Sequence, residues 1–192
     1  MKKEIRTKNF IVEIDTDNDP WNPRDDDNLG NMTCFHRRYA IGDKHDFTPE
    51  SLAKYVKRPD VVSLVVYGYE HSGITLSQTP FSCSFDSGKL GYIHTTHDAI
   101  KKHFGVKELT ENLIDCARDK LKDELYDYDY YLNGLHYCVA VHEKKYNADT
   151  NEIETDCVHS CCGFSNISDA YHEAIGYVDD DTENAIRSQL NA

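Results

Sequence analysis

Val61–Tyr69, VVSLVVYGY, and the segment after Glu70, His71–Tyr92, HSGITLSQTPFSCSFDSGKLGY, decide how this chain is read. The first is the strongest apolar run and is rich in β-branched residues, which predicts a buried strand. In the second, glycine, serine and threonine alternate with isolated apolar residues such as Ile74, Leu76, Phe81, Phe85 and Leu90. Glycine supplies φ > 0 and close backbone approach, so this composition suits the tight turns of a twisted hairpin. It equally suits a lining of N–H groups and hydroxyls around a ligand. Gly91–His94 then continues the sheet.

Working outward, Phe10, Val12 and Ile14 alternate with polar residues as a first strand does, and an Asp/Asn/Pro-rich loop follows to Gly30. Met32–Tyr39 fits a strand or a short helix equally. Thr48-Pro49-Glu50 has the chemistry of a helix start, and that helix stops before Pro59. Thr96 caps a helix to Phe104, with Gly105 as its stop. A helix over about Thr110–Tyr128 is predicted, since Leu109, Leu113, Cys116, Ala117, Leu121, Leu125 and Tyr128 form one apolar stripe at helical spacing. Leu135–Val141 and Glu152–His159 predict a hairpin, and Ser168–Tyr177 and Thr182–Leu190 two closing helices. The expectation is a single α+β domain over residues 1–192, with a largely antiparallel sheet, four to five helices, and the acidic segment 165–192 packed as closing helices.

Charge narrows the functional classes. The chain has 34 Asp and Glu against 21 Lys and Arg, a net charge of −13. Asn147–Ala192 contains ten acids and the single base Arg187, and Asp15–Asp27 contains six aspartates and one arginine. Direct binding of duplex nucleic acid is disfavoured, because that relies on cations neutralising phosphates. A basic protein surface is favoured as partner. The odd count of seven cysteines gives no even disulfide framework, and neither a signal peptide nor a membrane span is predicted. The expectation is a reduced, cytoplasmic protein in which most thiols act as small buried hydrophobes.

Several groups of residues carry chemistry. Asp15, Asp17 and Asp19 have the spacing that opens a calcium loop, with Asp26 at the twelfth position, but Pro20 stands where the turn needs glycine. No cofactor is expected beyond a divalent cation there. Cys157, His159, Cys161 and Cys162 crowd soft ligands as zinc sites do, although a distant partner such as His36 or His142 is still required. Cys83 with His71 is a nucleophile pair to test, with Asp86 as orienting group. A ligand pocket built from His36, Arg37, His71, Ser72, Thr75, Asp86 and Ser87 would suit a small hydrolase or nucleotide-binding protein. Tyr126, Asp127, Tyr128, Asp129 and Tyr130, with Asp179, Asp180 and Asp181, are candidate partner-binding residues, since tyrosine makes good interface anchors. His36-Arg37-Arg38 is the one compact basic spot, suited to a phosphate or carboxylate or to pairing with the preceding aspartate-rich loop.

Blocks spread over Asp15–Phe164 carry a resemblance: Asn22-Pro23-Arg24 with Asp27-Asn28-Leu29-Gly30, Cys34-Phe35-His36-Arg37, Gly42-Asp43, His71-Ser72-Gly73-Ile74-Thr75, Asp86-Ser87-Gly88 and Gly91-Tyr92-Ile93. They resemble a family of small proteins of bacteriophages, prophages and mobile elements that has no established activity. The resemblance implies a phage accessory product acting in bacterial cytoplasm. Tryptophan in that family stands where this chain has Asp26, Phe85 and Cys162, which weakens the calcium and zinc readings. The two functional expectations are a protein that counters host defence by binding a basic, nucleic-acid-handling host protein, such as a nuclease or other defence effector, and a small hydrolase or nucleotide-binding protein.

Overall fold

The structure is a computed structural model and describes residues 2–191. The fold is α+β, with two antiparallel four-stranded sheets and, among the described residues, five α-helices. The expected antiparallel pairing is therefore present, divided between two sheets. The chain separates into two compact units, residues 1–21 with 134–192, and residues 22–133. No helix among the described residues is long and apolar enough to cross a membrane.

The first unit pairs β1 (Lys3–Arg6), β2 (Phe10–Thr16), β7 (Tyr137–Asn147) and β8 (Glu152–Phe164) in that order. Alternation in β2 and β7 puts Val12, Ile14, Val139 and Val141 on one face, fully buried against Ala170, Tyr171 and Ala174 of α4 (Ile167–Ile175) and Ile186 of α5 (Asp180–Leu190). Asn166 caps α4 and Asp179 caps α5. The hairpin is longer than its apolar pattern suggested, because β8 is an edge strand whose residues are mostly exposed. A Cys138–Cys162 disulfide links its two arms, against the expectation of uniformly reduced thiols. Of the five free cysteines only Cys34 is buried.

The second unit pairs β3 (Asn31–Cys34), β6 (Ser87–Thr96), β4 (Val61–Glu70) and β5 (Ile74–Ser77). Met32–Tyr39 thus resolves into a strand to Cys34 and then loop. The stretch after β4 is the expected tight hairpin: Ser72 adopts φ 60 and the His71 N–H donates to the Gly73 carbonyl at 3.2 Å. The helical stripe is α3 (Glu111–Leu132), whose Ala117, Leu121, Leu125 and Tyr128 pack on Met32, Val66, Leu76 and Ile93. α1 (Pro49–Tyr55) begins with a capping box between Thr48 and Ser51, and α2 (His97–Phe104) runs from a Thr96 cap to Gly105 at φ 67.

A buried ion-pair network ties this unit together. Arg24 donates to both carboxylate oxygens of Asp43 (3.0 and 2.7 Å), to the Gly30 carbonyl (2.6 Å) and to Glu124 (3.3 Å). Glu124 also accepts the Leu29 and Gly30 N–H groups, and Asp43 accepts that of Met32. Burial pushes the Arg24 charge toward neutrality, but Asp43 and Glu124 outweigh it and raise its pKa. Gly42, at φ +77, donates its N–H to the Tyr128 hydroxyl. At Gly91 a Cβ would lie 2.0 Å from the Thr33 carbonyl, so β3 can approach only glycine there. The blocks at 22–30, 42–43 and 91–93 are thus engaged in holding the fold.

Candidate functional site

The segment after β3 folds back over the sheet and forms the concave surfaces of the second unit. One small pocket of about 230 Å³ gathers His36, Arg37, Asp86 and Ser87 with Arg38, Glu70 and Phe85. Four of the seven expected ligand residues meet there. His71, Ser72 and Thr75 do not line it: they lie on the β4–β5 hairpin, where His71 stacks on Tyr69 with ring centroids 5.9 Å apart.

Among the described residues the nucleophile candidate Cys83 is paired with a carboxylate and not with an imidazole. Cys83 lies 3.8 Å from Asp86, and its carbonyl accepts the Ser87 hydroxyl. The imidazole that the expected Cys83–His71 pair requires is held against Tyr69 instead. His36 is fixed by the backbone, since its Nδ1 accepts the N–H groups of Arg38 and Tyr39 at 3.2 and 3.1 Å. In the neutral ring Nε2 then carries the proton and faces Glu70 at 3.5 Å. Burial first, then the neighbouring Arg38 and Arg37, lowers its pKa. Arg38 pairs with Glu70, so the basic spot is answered by β4 and not by the aspartate-rich loop. Among the described residues Arg37 has no carboxylate partner within ion-pair distance.

The metal expectations are not realised. Among the described residues the one convergent donor group is Asp17 with Cys138 and Cys162, and those two sulfurs are bonded to each other and offer no thiolate. Asp15 lies within β2 and accepts the Thr16 N–H, and Asp17 accepts that of Asp19 in a local turn, so the three carboxylates do not converge. The zinc reading loses Cys162 to the disulfide, and His159 stacks on Tyr177 at 3.6 Å with Glu173 3.0 Å away.

The partner-binding candidates divide. Tyr128 is a core residue, and Asp129 accepts the Leu76 N–H at 2.6 Å, its pKa raised by burial. Tyr126, Asp127 and Tyr130 are exposed. Asp179 accepts hydrogen bonds from Asn9 and from the Thr182 backbone, while Asp180 and Asp181 lie exposed in the first turn of α5. The two acidic stretches of the sequence meet in part: Asp15, Asp17 and Asp19 belong to the same unit as every acid after Asn147, while Asp25, Asp26 and Asp27 fall in the other. That unit carries sixteen carboxylates against seven Lys and Arg, −9 of the total −13. On the β7–β8 hairpin, exposed Glu152, Glu154 and Asp156 alternate along the outer strand beside an exposed cross-strand pair, Tyr146 and Ile153.

A larger cleft, of about 420 Å³, was not foreseen. Asn31, Thr33 and His94 of the sheet and Asp43–Phe47 with Tyr55 of the overlying segment line it. His94 is 3% exposed, and its Nε2 lies 3.0 Å from the Thr33 hydroxyl. Burial lowers its pKa, with His45 in the same sense and Asp43 opposing. No family model, curated protein or solved structure matches this chain.

Proposed function

We propose that this protein is a binding protein, a phage or mobile-element accessory product that counters host defence by occupying a basic, nucleic-acid-handling surface of a host protein. The observation that supports it is the convergence of sequence-remote acids into one unit of net charge −9. Such a field steers encounter with a cationic groove and repels nucleic acid itself. The exposed Tyr146–Ile153 pair, on the hairpin face opposite to that of Glu152, Glu154 and Asp156, offers an apolar anchor of the kind interfaces use. The pocket that gathers His36, Arg37, Asp86 and Ser87 supports a second reading, a small hydrolase or nucleotide-binding protein.

The test is affinity capture from host lysate, with duplex DNA as competitor. The reading expects a basic nucleic-acid-binding protein that DNA displaces, and loss of capture in the triple variant Glu152→Lys, Glu154→Lys, Asp156→Lys. Capture that neither DNA nor charge reversal disturbs would rule the reading out.

A further inference from the structure

We propose that the cleft beneath the 43–55 segment is a mononucleotide site, with the base against Phe47, Tyr55 and His94 and the phosphate on Lys44 and Arg37. The site is independent of the acidic surface and lies wholly within residues 22–133.

The argument begins with the floor. Polar residues on the β3–β6 face away from α3 are unusual in so buried a place: Thr33 is 2% and His94 3% exposed. They satisfy each other through one bond, which leaves His94 Nδ1 enclosed without a partner. His45 repeats the pattern. Its Nε2 lies 3.1 Å from the Cys34 carbonyl, which can only accept, so Nε2 carries the proton. In the neutral ring His45 Nδ1 is then an acceptor, also enclosed and unpaired. Enclosed polar atoms without partners are rare and cost stability. A heteroaromatic ring with donors and acceptors around its edge supplies what two imidazoles lack, once small ring rotations open them to it.

The walls fit a planar ring. Phe47 and Tyr55 have centroids 5.2 Å apart, and both meet His94 edge-on, at 6.0 and 5.2 Å. Aromatic edges and faces at such spacings are how proteins hold bases. A volume of about 420 Å³ also lies in the range of small-molecule sites.

The rim supplies the charge. Among the described residues Lys44 has no carboxylate within ion-pair distance, and Arg37 has none either. Asp43, Lys44 and His45 form a wall shared with an adjoining cleft of about 510 Å³ that Arg37 lines. Asp43 is neutralised by Arg24, so the shared wall presents Lys44. A group with a ring on one side of that wall and an anion at its crest matches this order of chemistry.

The experiment is titration calorimetry with AMP, GMP, CMP and UMP, the four nucleosides, and inorganic phosphate, alongside imidazole ¹⁵N spectra. The proposal expects one or more nucleotides to saturate the site below about 1 mM and to shift the His45 and His94 ring signals. Nucleoside and phosphate alone bind at least about tenfold more weakly, and the surface variant Lys44→Ala costs a similar factor. Tyr55→Leu, checked for folding by its thermal transition, weakens nucleotide and nucleoside together. Failure of all four nucleotides to saturate overturns the proposal. So does phosphate binding as tightly as any nucleotide, or Lys44→Ala leaving affinity unchanged.

Discussion

Replacing Arg24 by alanine should unfold the second unit more readily than any change of similar size on its surface. The guanidinium side chain is 3% exposed and makes hydrogen bonds to Asp43, Glu124 and Gly30 at 2.6–3.3 Å. Its removal leaves Glu124, 5% exposed, as a buried carboxylate with only the two N–H groups of Leu29 and Gly30. Breaking a buried pair by deleting one partner costs about 3–5 kcal/mol, because the remaining charge stays desolvated. With a urea dependence of about 2 kcal/mol per molar, the midpoint falls by roughly 2 M. Arg24→Lys should recover less than half of the loss, since an ammonium cannot reproduce the forked contact with Asp43. Urea titration followed by circular dichroism reads all three proteins. A loss below about 1 kcal/mol for Arg24→Ala would refute the claim that this network organises residues 22–43 against α3.

Three further outcomes follow from the geometry. Gly91→Ala places a Cβ 2.0 Å from the Thr33 carbonyl and should cost about 2 kcal/mol or more by thermal melting, whereas Gly88→Ala, which meets open space, should stay within about 0.5 kcal/mol. Because His94 has a folded pKa below its unfolded value near 6.5, its contribution is intact above that pH and is lost as pH falls toward the folded value. Chemical denaturation between pH 5 and pH 8 should therefore show stability falling on the acid side, less so in His94→Gln. Reducing the Cys138–Cys162 bond, with a sequence separation of 24, should destabilise the first unit by about 3 kcal/mol. A melt unchanged by dithiothreitol would contradict it.

Much of the fold was readable locally. The caps at Thr48 and Thr96, the α3 stripe and the β-branched run of β4 each speak through neighbours a few residues away and form the expected elements, although Cys116 of the stripe is exposed and β4 is only half-buried. The strand β1, with sequence KEIR, has no apolar period of its own and exists because β2 offers it an edge. The mostly exposed β8 is likewise held by pairing with β7. That residues 1–21 pack with residues 134–192 is a non-local pairing with no local signature.

The sites were less legible for the same reason. His36 and Arg37 do meet Asp86 and Ser87, but His71 is drawn to Tyr69 by a turn whose geometry depends on Ser72 at φ 60. Tyr128 read both as a stripe residue and as an interface anchor, and helical rotation settles it in the core, while Asp129, which read as a surface acid, is turned to the Leu76 N–H. His45 and His94 are isolated in sequence, and Glu124 is one acid among many on α3. The one hint for His94 was parity: it alternates with Ile93, so a polar ring had to face away from the main core.

The central claim, that a concentrated electronegative unit exists to meet a cationic partner, is tested most directly by the association rate of the captured partner as a function of ionic strength. Between about 50 and about 500 mM salt that rate should fall by an order of magnitude or more as the field is screened. A rate constant that stays flat across that range would contradict it.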